Sequence, residues 1–169
     1  MKKINKKGFT LVELIVVIAI IGILAAVLVP SVTAYIGKAQ KTSAIQTASN
    51  KYEEFTLALV DQCHSDVDVF RKEKNVDGFY YGTNGYIVII DSTGYASSCD
   101  KNVTITKAYT YSASTFAEVA TFGTTLTQDK MKTSNIHKVE LEESGATRTY
   151  LKLPELVGEE LNCSIYATA

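Results

Sequence analysis

The first half of the chain is patterned for a single long helix, in two parts. Leu11–Val29 is nineteen residues of apolar side chains holding one charge, Glu13, and it closes at Pro30. At about 1.5 Å rise per residue, such a run approaches the ~30 Å hydrocarbon core of a bilayer. Beyond Pro30 the pattern turns amphipathic. Ile45, Ala48, Tyr52, Phe55 and Leu59 recur at 3-4-3-4 spacing, and Val32, Tyr35, Ile36 and Ala39 extend the stripe backwards. Lys38, Lys41, Gln46, Lys51 and Glu54 lie mostly off it. The spacing predicts a helix from Thr10 to about Val60–Cys63, some 50 residues and roughly 75–80 Å long. One half is free or in a membrane, and the other packs on a sheet.

From Ser65 the residues become Tyr, Thr, Ser and Gly, and the periodicity shortens. Asp77-Gly78, Thr83-Asn84-Gly85 and Ser92-Thr93-Gly94 read as turns. Phe79–Tyr81 and Tyr86–Asp91 read as strands, and the unbroken Ile87–Ile90 suits a central strand buried on both faces. Val103–Tyr111 alternates like a third strand, and Ser114 is placed to cap a short helix over Thr115–Phe122, stopped at Gly123. A hairpin about Ser144-Gly145 joins 136–143 to 147–153. Pro154 opens a turn or short helix to Leu161, and Cys163–Ala167 is expected to return as an edge strand. The fold class is therefore α+β, a long N-terminal helix on an antiparallel sheet of four or five strands.

Charge sharpens the reading of the N-terminus. Lys2, Lys3, Lys6 and Lys7 precede the apolar run, a basic flank that marks the cytoplasmic side of a single crossing. A secretory signal has a shorter core, about 7–15 residues, and ends at an Ala-x-Ala-like site. A plain anchor accounts for the length but not for Glu13, since an acid in hydrocarbon costs roughly 2.5–3.5 kcal/mol on insertion scales. A third reading makes Gly8–Phe9 a processing junction. Cutting there frees an amine at Phe9, about one helical turn from Glu13.

These residues carry a resemblance. Lys6 to Ala26, KKGFTLVELIVVIAIIGILAA, resembles the N-terminal signature of type IV pilins and their pseudopilin relatives, over roughly the first 30 to 55 residues and without departure. The resemblance implies a leader at 1–8, an apolar transmembrane and filament-core helix at 9–30, and a globular pilin domain at 31–169. It implies cleavage after Gly8 and methylation of the Phe9 amine by a prepilin peptidase. It further implies pairing of Glu13 with the Phe9 amine of a neighbouring copy, and bending or loosening of the helix at Gly22 and Pro30. The implied partners are copies of itself and other pilins, a membrane platform protein and an assembly ATPase. The precursor is expected in the cytoplasmic membrane and the polymer outside the cell, serving adhesion, motility, biofilm growth or DNA uptake. Beyond Tyr52 the resemblance ends.

Composition narrows the chemistry. At 46% hydrophobic and 169 residues, the chain suits one globular domain plus the apolar segment. Cleavage after Gly8 takes the net charge from −1 to about −5, since four lysines and no acid precede it. That balance argues against a grip on nucleic acid. No phosphate loop, nucleophile elbow, His-Glu-x-x-His or Cys-x-x-Cys occurs, so no catalytic residue and no cofactor is expected. Cys63-His64 are adjacent but point about 100° apart on a helix, and His137 is isolated. Asp66, Asp68 and Glu73 read as a solvated loop. Cys63, Cys99 and Cys163 allow any one of three disulfides, a free buried thiol, or a zinc site shared with a histidine. Asn102-Val-Thr and Asn162-Cys-Ser match the glycosylation pattern weakly. The rival readings are a pseudopilin of a secretion or competence machine, a membrane-tethered enzyme, and an adhesion module on a plain anchor.

Overall fold

The computed structural model describes residues 8–63, 77–82, 84–154 and 161–167. The chain divides into two units at Ala39/Gln40. Helix α1, Leu11–Gln62, begins in the first and ends in the second, and its span is the one the periodicity predicts. In the second unit its buried face is Ala44, Ala48, Tyr52, Phe55 and Leu59; the last four are in the stripe read from the sequence, whereas Ile45 is only partly buried and Val32, Tyr35, Ile36 and Ala39 are exposed.

The strands are β1 (Asp77–Tyr81), β2 (Ile87–Ile90), β3 (Ala96–Asp100), β4 (Asn102–Thr104), β5 (Lys107–Ser112), β6 (Thr115–Glu118), β7 (Thr125–Thr127), β8 (Lys138–Glu143) and β9 (Ala146–Lys152). Among the described residues, two short helices, α2 (Gln128–Thr133) and α3 (Cys163–Ala167), complete the order. Seven strands form one sheet in the order β3-β2-β1-β9-β8-β5-β6, and β4 pairs separately with β7. The class is α+β as expected, but the sheet is larger than the four or five strands anticipated. It also contains one parallel pair, β1 with β9. Local patterning carries no signal for a pairing between strands so far apart in sequence.

Two apolar layers explain the unbroken run in β2. Val88 and Ile90 face α1 together with Tyr80, Cys99, Leu151 and Leu153. Ile87 and Ile89 face the other way, with Phe79, Val139 and Tyr150, against Val103, Leu126, Met131 and Ile136 of the β4–β7 and α2 layer. A strand covered on both faces has no polar side to alternate with.

Four expectations are corrected. The helix expected over Thr115–Phe122 is β6, because Ala113 (φ 48) and Ser114 (φ 64) make a tight hairpin turn rather than a helix cap. Phe116 then stacks edge-on against Tyr111 at 5.1 Å. The strand expected over Val103–Tyr111 is broken between β4 and β5, where the Thr106 N–H and hydroxyl both donate to the Glu140 carbonyl at 2.7 and 2.9 Å. Cys163–Ala167 is helical, with Tyr166 set 4.8 Å from Phe55 between ring centres, so side-chain packing overrides its strand-like composition.

Asp77-Gly78, read as a turn, starts β1. A Cβ on Gly78 would lie 2.8 Å from Leu153 Cδ2, so the glycine serves close packing and not a bend. β3 went unforeseen because Ala-Ser-Ser-Cys-Asp lacks apolar alternation, as an edge strand can. The turns at Gly85, Gly94 and Ser144-Gly145 stand as read, each with positive φ. The segment between Pro154 and Leu161 lies largely outside the described residues.

Phe55 is 1% exposed and Leu57 70%. Phe55→Ala is expected to cost about 3–5 kcal/mol and Leu57→Ala within about 0.5, measured by thermal or urea unfolding of the detergent-solubilised chain.

Candidate functional site

Gly8 and Phe9 precede α1 and are exposed, Phe9 at 82%. Thr10 then caps the helix. Its N–H and hydroxyl donate to Glu13 Oε2 at 2.9 and 2.7 Å, and the Glu13 N–H approaches Thr10 Oγ1 at 3.3 Å. This is a reciprocal capping box, and Thr-x-x-Glu was its legible and overlooked signal. Glu13 is thereby given hydrogen bonds within its own first turn, where a negative charge also suits the helix N-terminus.

Among the described residues, this unit's large apolar side chains lie exposed. From Leu11 (73%) through Val17 (45%) to Val29 (60%), the large apolar side chains are exposed. The helix is long and apolar enough to cross a membrane. Open space surrounds Gly22 on the side where a Cβ would project. The helix continues through Pro30, which has no N–H to give to the preceding turn. Ser31 Oγ donates to the Val27 carbonyl at 2.8 Å, and Thr33 Oγ1 to the Pro30 carbonyl at 3.0 Å.

The cysteines resolve into a pair and a single thiol. Cys63, just past the end of α1, is bonded to Cys163 at the start of α3, with Cα atoms 5.7 Å apart. The Leu161 N–H donates to Gln62 Oε1 at 2.6 Å beside it. Cys99 is buried and free, its Sγ 3.9 Å from the Lys41 carbonyl, and burial pushes the thiol up. Lys41 precedes Cys63 by 22 residues on the helix. At about 1.5 Å per residue that is roughly 33 Å, which removes Cys99 from either pairing. With two thiols in a disulfide, the three cysteines cannot share a zinc ion, and no metal-holding group of three His, Cys, Asp or Glu occurs among the described residues.

Other candidates are structural or out of view. A bonded Cys63 cannot act as a nucleophile, and His64, Asp66, Asp68 and Glu73 lie outside the described residues. His137 Nδ1 accepts the Tyr111 N–H at 3.2 Å, and burial holds the imidazole below its usual range. Its ring continues the β5–β8 ladder. Asn102 and Asn162 are exposed.

Comparison with known proteins bears on the N-terminal segment. Residues 3–29 match the family model described as the prokaryotic N-terminal methylation motif. The N-terminal segment carries a prokaryotic N-terminal methylation motif. It is 35% identical to fimbrial protein EcpC of Eikenella corrodens over 97 residues, 56% of this chain and 60% of that protein. It is 62% identical to the type IV major alpha-pilin of Moraxella bovis over 37 residues, 22% and 23% of the two chains. With the type IV major pilin protein PilE1 of Neisseria gonorrhoeae it shares 49% over 51 residues, 30% and 31%. The matches thus span between about a quarter and three-fifths of these relatives. No solved structure matches the chain. The pilin-type segment is also the stretch whose apolar side chains the fold leaves bare.

The cysteine arrangement has a direct check. Thiol titration of the oxidised chain should find none reactive when native, one after denaturation and three after reduction.

Proposed function

We propose that this chain is the structural subunit of a type IV pilus, made as a membrane precursor and polymerised through its N-terminal helix into an extracellular filament. One observation carries the reading: an uncovered apolar helix with Glu13 in its first turn, whose start lies within the prokaryotic N-terminal methylation motif matched over residues 3–29. The curated relatives support it, being named fimbrial proteins and type IV pilins.

In this reading residues 1–8 are the leader, 9–30 the membrane and filament-core helix, and 31–169 the displayed globular part. A prepilin peptidase cuts after Gly8 and methylates the Phe9 amine. The new cation then pairs with Glu13 of a neighbouring copy, drawing the carboxylate out of its Thr10 box. In lipid, apolar helices gain nothing by the hydrophobic effect from touching one another, so an ion pair can set their axial register. Gly22, free of neighbours, and Pro30, missing one backbone bond, are where the helix yields on assembly. A platform protein and an assembly ATPase extract the subunits. The proposed role is structural, in keeping with the names of the fimbrial and pilin relatives.

Mass spectrometry of the mature chain tests processing. The expected N-terminus is N-methylated Phe9, whereas an intact Met1 or a cut near Ala26 would contradict the reading. Long surface fibres, lost on deletion, distinguish a pilin from a pseudopilin by electron microscopy.

A further inference from the structure

The seven-stranded sheet consists of two antiparallel parts, β3-β2-β1 and β9-β8-β5-β6, joined only by the parallel β1/β9 pair. That seam has three residue pairs, Asp77↔Tyr150, Gly78↔Leu151 and Phe79↔Lys152, whereas β8/β9 has six. Parallel pairing is also slightly weaker per residue. The β5/β8 ladder is equally short, with three pairs, but it is antiparallel, so the seam is the one of these two with the weaker kind of pairing.

A poorly neutralised carboxylate stands at its mouth. Asp77 is 7% exposed, the one charged side chain in the core among the described residues. Its Oδ1 accepts the Ser92 N–H at 2.9 Å. Its nearest cation, Arg148 Nη1 on β9, is 3.9 Å away, 54% exposed, and shared with Glu143 at 3.8 Å. The groups facing Asp77 are Tyr52 from α1, Asp91 from the turn after β2, Glu143 from the end of β8, and Arg148 and Tyr150 from β9. Three carboxylates therefore meet one guanidinium. Burial first, and then Asp91 and Glu143, hold the Asp77 carboxyl above its usual range.

We infer that the β1/β9 seam is a pH-sensitive parting line, where the two parts of the sheet separate before the second unit unfolds, and that Asp77 sets its pH dependence. An acid raised in the folded state is held best when protonated. The seam is tightest below the ordinary carboxylate pKa and loosens as pH rises through the raised value of Asp77. A closed seam at neutral pH then surrounds a charge that its neighbours only partly offset. This holds whether or not the chain forms filaments.

Strand β9 contains its own control. The Leu153 N–H donates to the Phe79 carbonyl across the seam at 2.9 Å, while the Lys152 N–H donates to the His137 carbonyl on the opposite side at 2.8 Å. Hydrogen exchange of the detergent-solubilised full chain, followed by NMR and corrected for intrinsic rates, reads both. Between pH 4 and 7, protection at Leu153 should fall by about tenfold per unit that the Asp77 pKa is raised, while Lys152 changes less. Asp77→Asn keeps an acceptor for Ser92 and should abolish the fall. Equal protection and equal pH response at the two wild-type amides would overturn the inference, even if D77N does not fold. So would a fall that persists in D77N.

Discussion

The constraint behind this molecule is apolar surface left exposed among its described residues. Burying one large aliphatic side chain is worth about 1.5–3 kcal/mol, and more than a dozen such residues lie between Leu11 and Val29. An acid at mid-bilayer costs roughly 2.5–3.5 kcal/mol. The apolar total outweighs Glu13 several times over, so the segment must leave water despite its charge. What the charge can decide is how. It sits in the first turn rather than mid-helix, and Thr10 already supplies it with two hydrogen bonds.

Within the second unit a different balance holds. The amphipathic half of α1 buries its stripe, the sheet is covered on both faces, and the Cys63–Cys163 bond closes a loop of 100 residues. In a chain-entropy view that closure is worth roughly 4–5 kcal/mol. Tyr166 is pinned on Phe55 by the same staple, and burial raises its hydroxyl pKa well beyond the ordinary tyrosine range. The one parallel pairing among the described strands, β1 with β9, is short and carries the buried Asp77.

What could be read in advance follows from the range of each interaction. Helix α1 was legible because periodicity is a local property repeated over dozens of residues, and β2 and the β8–β9 hairpin because apolar runs and Ser-Gly turns are local too. Cys63–Cys163 was one of three pairings until the helix fixed Cys99 beside Lys41. β6 was misread because Ser114 looks like a cap until its positive φ is known. The parallel β1/β9 pair and the role of Gly78 depend on Leu153, 75 residues away, which local pattern cannot reveal. At the candidate site, Gly8, Phe9 and Glu13 stand together in one short motif. Thr10 was overlooked, although its spacing from Glu13 is that of a capping box.

The central claim is that Glu13 lets copies of this helix cover one another. Replacing it isolates the claim from apolarity, because Glu13→Ala makes the segment no less able to enter a membrane. Fibres sheared from cells making only the variant should be quantified against membrane-held chain by immunoblot. The account predicts loss of surface polymer while the processed chain persists in the membrane at near wild-type amount. Normal fibre yield from the alanine variant would contradict it.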